Sequence, residues 1–317
     1  MPYTNNINHQ SINKSIIHAN GKLLLSAEYF VLDGALALAL PTSRGQIFTF
    51  ETLPDSNFIF WKSYDEKHQL WFDAVFSLEK LEATQTSNVE ISNRLTQIFQ
   101  AVRALNISFF EKNKGAKVES KLTFPRNWGL GTSSTLIYAI AKWANINPFI
   151  LLEKTFGGSG YDLACAGAER SIFYQIKNKK PTWEECDFSP SFADQLYFIF
   201  LGKKQNSREG IQHYRKIEKQ SFLLEKISNL SEQMLASASL SDFEKIINAH
   251  EDIISKTLHL QKIKDLHFKD YWGSVKSLGA WGGDFVLATS NRTEAETKSY
   301  FNKKGFEVFF RYENLIL

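Results

Sequence analysis

The pattern of hydrophobic and polar positions predicts a chain that mixes strands and helices. Alternating apolar and polar residues, together with short apolar runs, predict strands at 15–26, 46–52, 57–61, 69–75, 117–124, 195–201, 284–288 and 307–312, with a further buried segment at 35–40. Apolar residues at helical spacing predict helices at 88–105, 136–144, 149–155, 162–176, 207–230 and 240–257. The composition of 181–190 is typical of a loop.

One predicted strand runs directly into a glycine turn that opens a predicted helix. The turn is the stretch 125–135, with the sequence Pro-Arg-Asn-Trp-Gly-Leu-Gly-Thr-Ser-Ser-Thr. The first N–H groups of a helix have no partner within it, and with the positive end of the helix dipole they form a site for phosphate. Gly129 and Gly131 would let a phosphate approach the backbone, because they carry no Cβ atom. The alternative is an ordinary glycine-rich turn with Ser and Thr caps.

Three segments in order along the chain are more specific than the glycine loop alone. The loop is neither a Walker A motif nor a dinucleotide fingerprint, since it lacks the Gly-Lys-Ser/Thr of the first and the third glycine of the second. Together with 20–34 and 276–288, however, 125–135 resembles the three motifs of the GHMP kinases, the family of galactokinase, homoserine kinase, mevalonate kinase and phosphomevalonate kinase. The stretch 157–164 is most similar to the Gly-Ser-Gly-aromatic-Asp stretch of phosphomevalonate kinases.

The resemblance implies an α+β fold of two domains, with the active site in the cleft between them. We expect a flexible tail at 1–14, an N-terminal mixed α/β domain that binds ATP at 15–190, and a C-terminal ferredoxin-like α+β domain at 191–317. The boundary follows the loop-like composition near residue 190, after which the buried strand at 195–201 begins a second unit.

The same resemblance implies an ATP- and Mg²⁺-dependent kinase that transfers the γ-phosphoryl group of ATP to mevalonate or phosphomevalonate. Three alternatives stay open: a kinase for another small alcohol or sugar, a lyase similar to diphosphomevalonate decarboxylase, and a non-catalytic homologue that binds a ligand. The decarboxylases lack an aspartate at the position of Asp162, which argues against the lyase. The presence of Lys22, Asp162 and the loop at 129–134 argues against the non-catalytic homologue, whereas Trp281 keeps it open.

Phosphoryl transfer depends mainly on positioning and charge stabilisation, so it needs an anion cradle, a cation and a group that accepts or orients the hydroxyl proton. By the resemblance, Lys22 is the candidate cation and Asp162 the candidate base or orienting carboxylate. We expect the two side chains to face one another across the reacting hydroxyl. Taken alone, Lys22 would be a strand lysine that faces water, and Asp162 would be a helix N-cap.

The remaining candidate residues are assigned by the same resemblance. The expected ATP-binding residues are Gly129, Leu130, Gly131, Thr132, Ser133 and Ser134. The expected metal ligands are Ser133 and Glu153, although the offset from Glu153 to Asp162 is shorter than in mevalonate kinases. The expected substrate-binding residues are Glu28, Ser159, Gly160, Tyr161, Ser207, Arg208, Ala280 and Trp281. Trp281 departs from the usual Gly-Ala-Gly-Gly-Gly pattern, and its indole would narrow the pocket, stack on a ligand or pack on the second domain.

Composition agrees with a globular enzyme. The 317 residues are 43% hydrophobic and 22% charged, which allows an ample core. The formal net charge of +3 gives no electrostatic case for a nucleic-acid partner. We find no targeting segment and no apolar stretch long enough to span a membrane, so we expect a cytoplasmic protein, with a homodimer as one option for its assembly. Cys165 and Cys186 form no metal-ligand pattern.

Overall fold

The computed structural model of the protein describes residues 13–112, 114–203, 207–218, 221–281 and 284–317, without the side chains of residues 207 and 208. The strands are β1 (Lys14–Leu24), β2 (Ala37–Pro54), β3 (Ser56–Tyr64), β4 (Leu70–Ser77), β5 (Ala83–Thr86), β6 (Lys114–Leu122), β7 (Ile172–Lys177), β8 (Lys180–Glu185), β9 (Leu196–Phe200), β10 (Val275–Ser277), β11 (Phe285–Thr289) and β12 (Phe309–Arg311). The helices are α1 (Val89–Leu105), α2 (Thr132–Trp143), α3 (Pro148–Thr155), α4 (Tyr161–Ala166), α5 (Ser207–Arg215), α6 (Ser221–Leu235), α7 (Leu240–Leu258), α8 (Ile263–His267), α9 (Glu294–Lys303) and α10 (Tyr312–Leu315). Strands and helices are thus mixed along the chain, as the sequence predicts.

The described chain divides into two compact units, and the first is built on a mixed sheet. It contains the described residues within 13–18, 46–123 and 139–156. Its strands follow the order β5-β4-β3-β6-β2, with β3 and β6 parallel and the other neighbours antiparallel. Helix α1 packs on this sheet through buried Phe99, whose ring centroid lies 5.1 Å from that of Phe76 and 5.9 Å from that of Trp61.

The second unit contains the described residues within 19–45, 124–138 and 157–317. Here the first residues of β2 pair antiparallel with β7, and β7 pairs antiparallel with β8. A separate antiparallel sheet has the strand order β10-β11-β9-β12. Every residue of β9 and β11 is buried, because both faces of these central strands are covered. Phe268 and Phe301 belong to the core that packs on this sheet.

Most of the predicted elements are confirmed, and α3 is the best example. Asn147 is its N-cap, and the side-chain oxygen accepts hydrogen bonds from the backbone N–H groups of Phe149 at 2.9 Å and Ile150 at 3.4 Å. Pro148 occupies the first helical turn, where its missing N–H costs nothing. The strands predicted at 57–61 and 69–75 do form an antiparallel pair. The segments predicted separately at 35–40 and 46–52 belong to one long strand, β2.

The long helix predicted at 162–176 is wrong. Helix α4 ends at Ala166, and the chain continues into β7. At Gly167 the backbone passes so close to Tyr138 that a Cβ atom would lie 2.5–2.7 Å from atoms of its side chain. The residues that follow are aromatic and β-branched, which favours a strand.

Two further predicted elements differ in part from the structure. The loop predicted at 181–190 is wrong over its first part, because 181–185 belongs to β8, a largely exposed strand whose polar side chains face water. The helix predicted at 207–230 is two helices, α5 and α6. Helix α9 is not among the predicted elements, although Thr293 and Glu296 form a capping box at its start.

Three expectations concern the chain as a whole. Residues 1–12 of the predicted tail lie outside the described residues, and Lys14 begins β1. The domain boundary near residue 190 stays a prediction. Within the described ranges, no helix combines the length and the apolar character that crossing a membrane would need.

Candidate active site

The glycine loop is held in place by the tryptophan that precedes it. The ring centroid of Trp128 lies 6.0 Å from that of Phe200, 5.8 Å from that of Phe285 and 5.4 Å from that of Phe310. These three phenylalanines lie on or beside strands β9, β11 and β12 of the four-stranded sheet. Aromatic packing of this kind adds specific geometry to the burial of apolar surface. This packing therefore anchors the beginning of the glycine loop on the four-stranded sheet.

The turn itself needs its two glycines. Gly129 has a φ of 71° and Gly131 a φ of 96°, both in the left-handed region that side chains disfavour. Helix α2 begins directly afterwards at Thr132. The predicted sequence of strand, glycine turn and helix is therefore present, and the first N–H groups of α2 follow the turn.

The hydroxyls of the loop differ in what they can reach. Buried Ser134 donates its hydroxyl hydrogen to the carbonyl oxygen of Gly131 at 2.8 Å, so it closes the first turn of α2. Ser133 is exposed, and Thr132 is half-buried. Of the two serines predicted to bind the nucleotide, Ser133 is therefore the better placed to meet a phosphate or a metal ion from solution.

Lys22 is hydrogen-bonded to this loop through both its backbone and its side chain. Its backbone N–H donates to the carbonyl oxygen of Leu130 at 3.1 Å, and its Nζ donates to the carbonyl oxygen of Gly129 at 3.0 Å. A Cβ atom at Gly131 would lie 3.4 Å from Cγ of Lys22, so the lysine stem runs along the glycine. The half-buried side chain thus points to the loop and does not extend into water.

Two carboxylates and a tyrosine surround the Lys22 ammonium. Burial by itself lowers the pKa of Lys22, but interactions with Tyr161, Asp284 and Asp162 reverse this effect and leave the pKa above its usual value. Burial raises the pKa of Tyr161 to about 12, so this phenol is neutral at pH 7. At neutral pH the negative charges of Asp162 and Asp284 therefore stabilise the ammonium. Asp162 thus lies close enough to Lys22 to act on its charge, and their facing one another across the reacting hydroxyl stays a prediction.

Asp162 lies in the first turn of the short helix α4. Its Oδ1 accepts a hydrogen bond from the backbone N–H of Leu163 at 3.0 Å. The preceding Gly160 has a φ of 86°, and the hydroxyl of Tyr174 donates to the carbonyl oxygen of Ser159. These contacts fix the turn from which Asp162 and Tyr161 project. The ring centroid of Tyr161 lies 5.7 Å from Nζ of Lys22.

Asp284 is a site residue that the sequence analysis did not select. Its carboxyl group lies against the glycine loop, because a Cβ atom built on Gly129 would be 2.4–2.6 Å from the Cγ and both carboxylate oxygens of Asp284. The missing side chain of Gly129 thus leaves room for this carboxylate, and the approach of a phosphate to Gly129 stays a prediction. The only sequence signal was an acidic residue directly after the two glycines of the third motif.

Glu28 is fully buried and belongs to a separate cluster of ionisable groups. Its Oε1 accepts a hydrogen bond from Nζ of Lys276, which also donates to Oε1 of Glu251 at 3.4 Å and to the carbonyl oxygen of Ser277 at 3.0 Å. Nε2 of His250 accepts from the backbone N–H of Ala27 at 2.9 Å and lies 3.3 Å from Oε2 of Glu28. The predicted substrate contact of Glu28 stays a prediction.

Burial sets the protonation states of this cluster. It raises the pKa of Glu251 to about 8 and also raises the pKa of Glu28, although the charge of Lys276 opposes both shifts. Burial lowers the pKa of His250 well below its usual value, so the imidazole stays neutral. At pH 7 we therefore expect Glu251 to be largely protonated, beside the positive charge of Lys276.

The other predicted residues fall into three groups. Ala280 and Trp281 are buried, and the indole N–H of Trp281 has no hydrogen-bond partner within the described part of the chain. Ser207 begins α5, but its side chain and that of Arg208 lie outside the described residues. Glu153 is exposed on α3, in the first unit, so its role as a metal ligand stays a prediction.

The donor set around the loop fits Mg²⁺ bound together with phosphate. Among the described residues, no group of three or more His, Cys, Asp or Glu side chains could enclose a metal ion. Mg²⁺ in phosphoryl-transfer sites is usually held by one or two carboxylates, by water and by the phosphates of the substrate. Asp162 and Asp284, which both act on the charge of Lys22, and the exposed hydroxyl of Ser133 are the candidates for such a set. Residues of this chain would therefore complete a site only when phosphate is present.

Comparisons with known proteins identify the fold. No family profile matches the sequence, and a comparison with curated proteins gives no match. Among solved structures, L. major mevalonate kinase in complex with R-mevalonate is similar, with 15% identity, 96% of each chain covered and a TM-score of 0.66. Streptococcus pneumoniae phosphomevalonate kinase in complex with phosphomevalonate and AMPPNP has 17% identity, with 94% of this chain and 99% of that chain covered and a TM-score of 0.67. Lactococcus lactis galactokinase complexed with galactose has 13% identity, with coverage of 94% and 92% and a TM-score of 0.68. The chain therefore has the fold of the GHMP kinases, as its three motifs indicate.

Proposed function

We propose that the protein is an ATP-dependent small-molecule kinase that phosphorylates mevalonate or phosphomevalonate. The observation that carries this proposal is the hydrogen bond from Nζ of Lys22 to the carbonyl oxygen of Gly129, with Asp162 close enough to act on the lysine charge. A cation, a glycine turn and a carboxylate thus meet at the start of helix α2. Phosphoryl transfer needs this combination, because the reaction depends on positioning and on compensation of charge.

The phosphates of ATP would bind at the start of α2. The N–H groups of Thr132 and Ser133 belong to the first turn of this helix, where backbone donors and the helix dipole favour an anion. The exposed hydroxyl of Ser133 adds a further donor. Lys22 supplies the positive charge that a transferring phosphoryl group requires. Bound Mg²⁺ would neutralise phosphate charge, and Ser133, Asp162 and Asp284 are the residues that would hold it.

Asp162 and Lys22 would act on the acceptor and on the phosphoryl group, respectively. Asp162 orients the acceptor hydroxyl and accepts its proton as the bond to phosphorus forms. Its Oδ1 already accepts one backbone hydrogen bond, which keeps the carboxyl group in a defined orientation. Lys22 stabilises the negative charge on the phosphoryl oxygens. A phosphorylated acceptor and ADP are the products.

The choice of acceptor rests on similarity. Solved structures of the same fold include a complex with R-mevalonate and a complex with phosphomevalonate. The sequence Gly-Ser-Gly-Tyr-Asp at 158–162 favours the phosphomevalonate kinases. We propose Ser159, Gly160, Tyr161, Ala280 and Trp281 as acceptor-binding residues, with Ser207 and Arg208 from the start of α5.

An assay of ADP production with a panel of acceptors tests the proposal. Purified protein is incubated with Mg²⁺ and ATP and with mevalonate, phosphomevalonate, galactose or homoserine, and an incubation without acceptor measures background hydrolysis. We expect ADP well above background with mevalonate or phosphomevalonate. ADP with galactose or homoserine alone would overturn the proposed acceptor. No ADP with any acceptor would overturn the kinase, and release of CO₂ would show a lyase instead.

A further inference from the structure

Asp284 places a second carboxylate directly against the loop that is expected to bind phosphate. We propose that this residue makes nucleotide binding depend on a divalent cation, so that the site accepts the metal complex of a nucleotide and rejects the free nucleotide. The inference rests on the proposed function, since it specifies the form in which ATP enters the same site. It assigns a role to a residue that the three-motif comparison leaves without one.

The position of Asp284 is fixed by its backbone. Its N–H donates to the carbonyl oxygen of Lys203 at 2.8 Å, and its carbonyl oxygen accepts from the N–H of Leu201 at 2.8 Å. The residue has a φ of 54°, in the left-handed region that Asp and Asn enter more readily than most other residues. With an exposed fraction of 8%, its side chain lies inside the protein. The carboxylate is therefore not a mobile surface group that could turn away freely.

The glycine at position 129 accommodates this carboxylate at the loop. A Cβ atom there would lie 2.4 Å from Cγ of Asp284, well inside van der Waals contact. Glycine is thus required at 129 by the close approach of an acidic side chain as well as by the φ of 71°. An anion that approaches the loop from this side would meet negative charge first.

The charges around the loop show why a cation is needed. Lys22 contributes one positive charge, Asp162 and Asp284 contribute two negative charges, and Tyr161 is neutral at pH 7. These four side chains therefore carry a net charge of −1 before a nucleotide arrives. Free ATP is itself a polyanion, so its phosphates would be repelled. A divalent cation reverses the sign of the local charge and takes oxygen ligands from carboxylates and phosphates together.

Replacement of Asp284 by asparagine removes the negative charge of the side chain and keeps its shape. Asn keeps the size of the side chain and tolerates a φ of 54°, because Asn is among the residues that enter the left-handed region. Asp270→Asn is the matched control, since Asp270 is an exposed carboxylate that pairs with Lys304 at 2.7 Å. Thermal unfolding of both variants shows whether the fold is retained. Asp284→Glu serves as a second variant, which keeps the charge but displaces it.

Isothermal titration calorimetry with ATP, in excess MgCl₂ or in EDTA, tests the inference. For the unmodified protein and Asp270→Asn, we expect a Kd for ATP at least about tenfold higher in EDTA than in MgCl₂. For Asp284→Asn, we expect tighter binding in EDTA and weaker binding in MgCl₂, so the ratio of the two Kd values approaches one. An unchanged ratio in a folded Asp284→Asn variant would overturn the inference while nucleotide binding itself stands.

A second measurement follows the metal directly. Electron paramagnetic resonance of Mn²⁺ in the presence of ADP reports the fraction of ion bound to the protein. We expect Asp284→Asn to lower this fraction several-fold and Asp284→Glu to lower it less. Equal Mn²⁺ binding in all variants would contradict a role of Asp284 at the metal. No ATP binding by the unmodified protein, with or without metal, would overturn the proposed function itself.

Discussion

The buried ion pair between Lys276 and Glu28 gives a large and specific stability prediction. Both side chains have an exposed fraction of 0%. Lys276→Met keeps the length of the side chain and removes its charge. Glu28 is the carboxyl group nearest to the ammonium, so the loss of the ammonium falls mainly on Glu28. Removal of one partner of a buried pair costs about 3–5 kcal/mol, and we expect Lys276→Met to lower the free energy of unfolding by this amount.

Urea unfolding at pH 7 measures the effect, with three further variants for comparison. Lys262→Met removes the half-buried partner of exposed Asp252, and loss of this surface ion pair should cost no more than about 1 kcal/mol. Glu28→Gln and the double variant Lys276→Met/Glu28→Gln complete a double-mutant cycle. Because the double variant leaves no unpaired charge on Glu28, it should be at least about 2 kcal/mol more stable than the sum of the single effects predicts. A cost of less than about 1 kcal/mol for Lys276→Met would refute the reasoning.

Two further predictions concern pH and the glycine loop. The pKa of Glu251 is about 8 in the folded protein against a usual 4.5. Between these two pH values the folded state therefore holds a proton that the unfolded state has lost. The contribution of Glu251 to stability is complete below pH 4.5 and is lost as the pH rises through 8. Glu251→Gln should therefore flatten the fall in unfolding free energy between pH 5 and pH 8, and an identical slope in both proteins would contradict the assigned pKa. Gly129→Ala should lower the melting temperature, because its Cβ would lie 2.4–2.6 Å from the carboxyl group of Asp284 at a φ of 71°. Adding Asp284→Gly should recover part of that loss, whereas additive losses would show that the two residues do not touch.

Elements with local signals could be predicted from the sequence. Asn147 and Pro148 mark the start of α3 by their own side chains, without help from distant residues. The glycine turn before α2 is local in the same sense. The stretch 172–177 was assigned to a helix because its apolar run is compatible with either structure, and only its pairing with β2 decides for a strand.

The chemistry of the site was only partly visible in the sequence. Lys22 and Asp162 were selected because they lie in segments that resemble motifs of the GHMP kinases. In the structure Asp162 lies close enough to Lys22 to act on its charge. Asp284 was missed because its importance depends on a contact with Gly129, which lies 155 positions earlier in the chain. The pairing of Lys276 with Glu28 joins residues that are 248 positions apart. No local pattern encodes such contacts, since they arise only when the strands have assembled.

The turnover of Lys22→Ala and Asp162→Asn tests the central claim most directly. Both variants are assayed for ADP production with Mg²⁺, ATP and the preferred acceptor, beside Lys262→Met and Asp270→Asn as controls at ion pairs outside the candidate site. Each site variant should lower kcat by at least about a hundredfold, as loss of an acid–base or charge-stabilising group does, while its melting temperature stays close to that of the controls. Near-normal turnover in both site variants would show that residues 22 and 162 do not form the catalytic site.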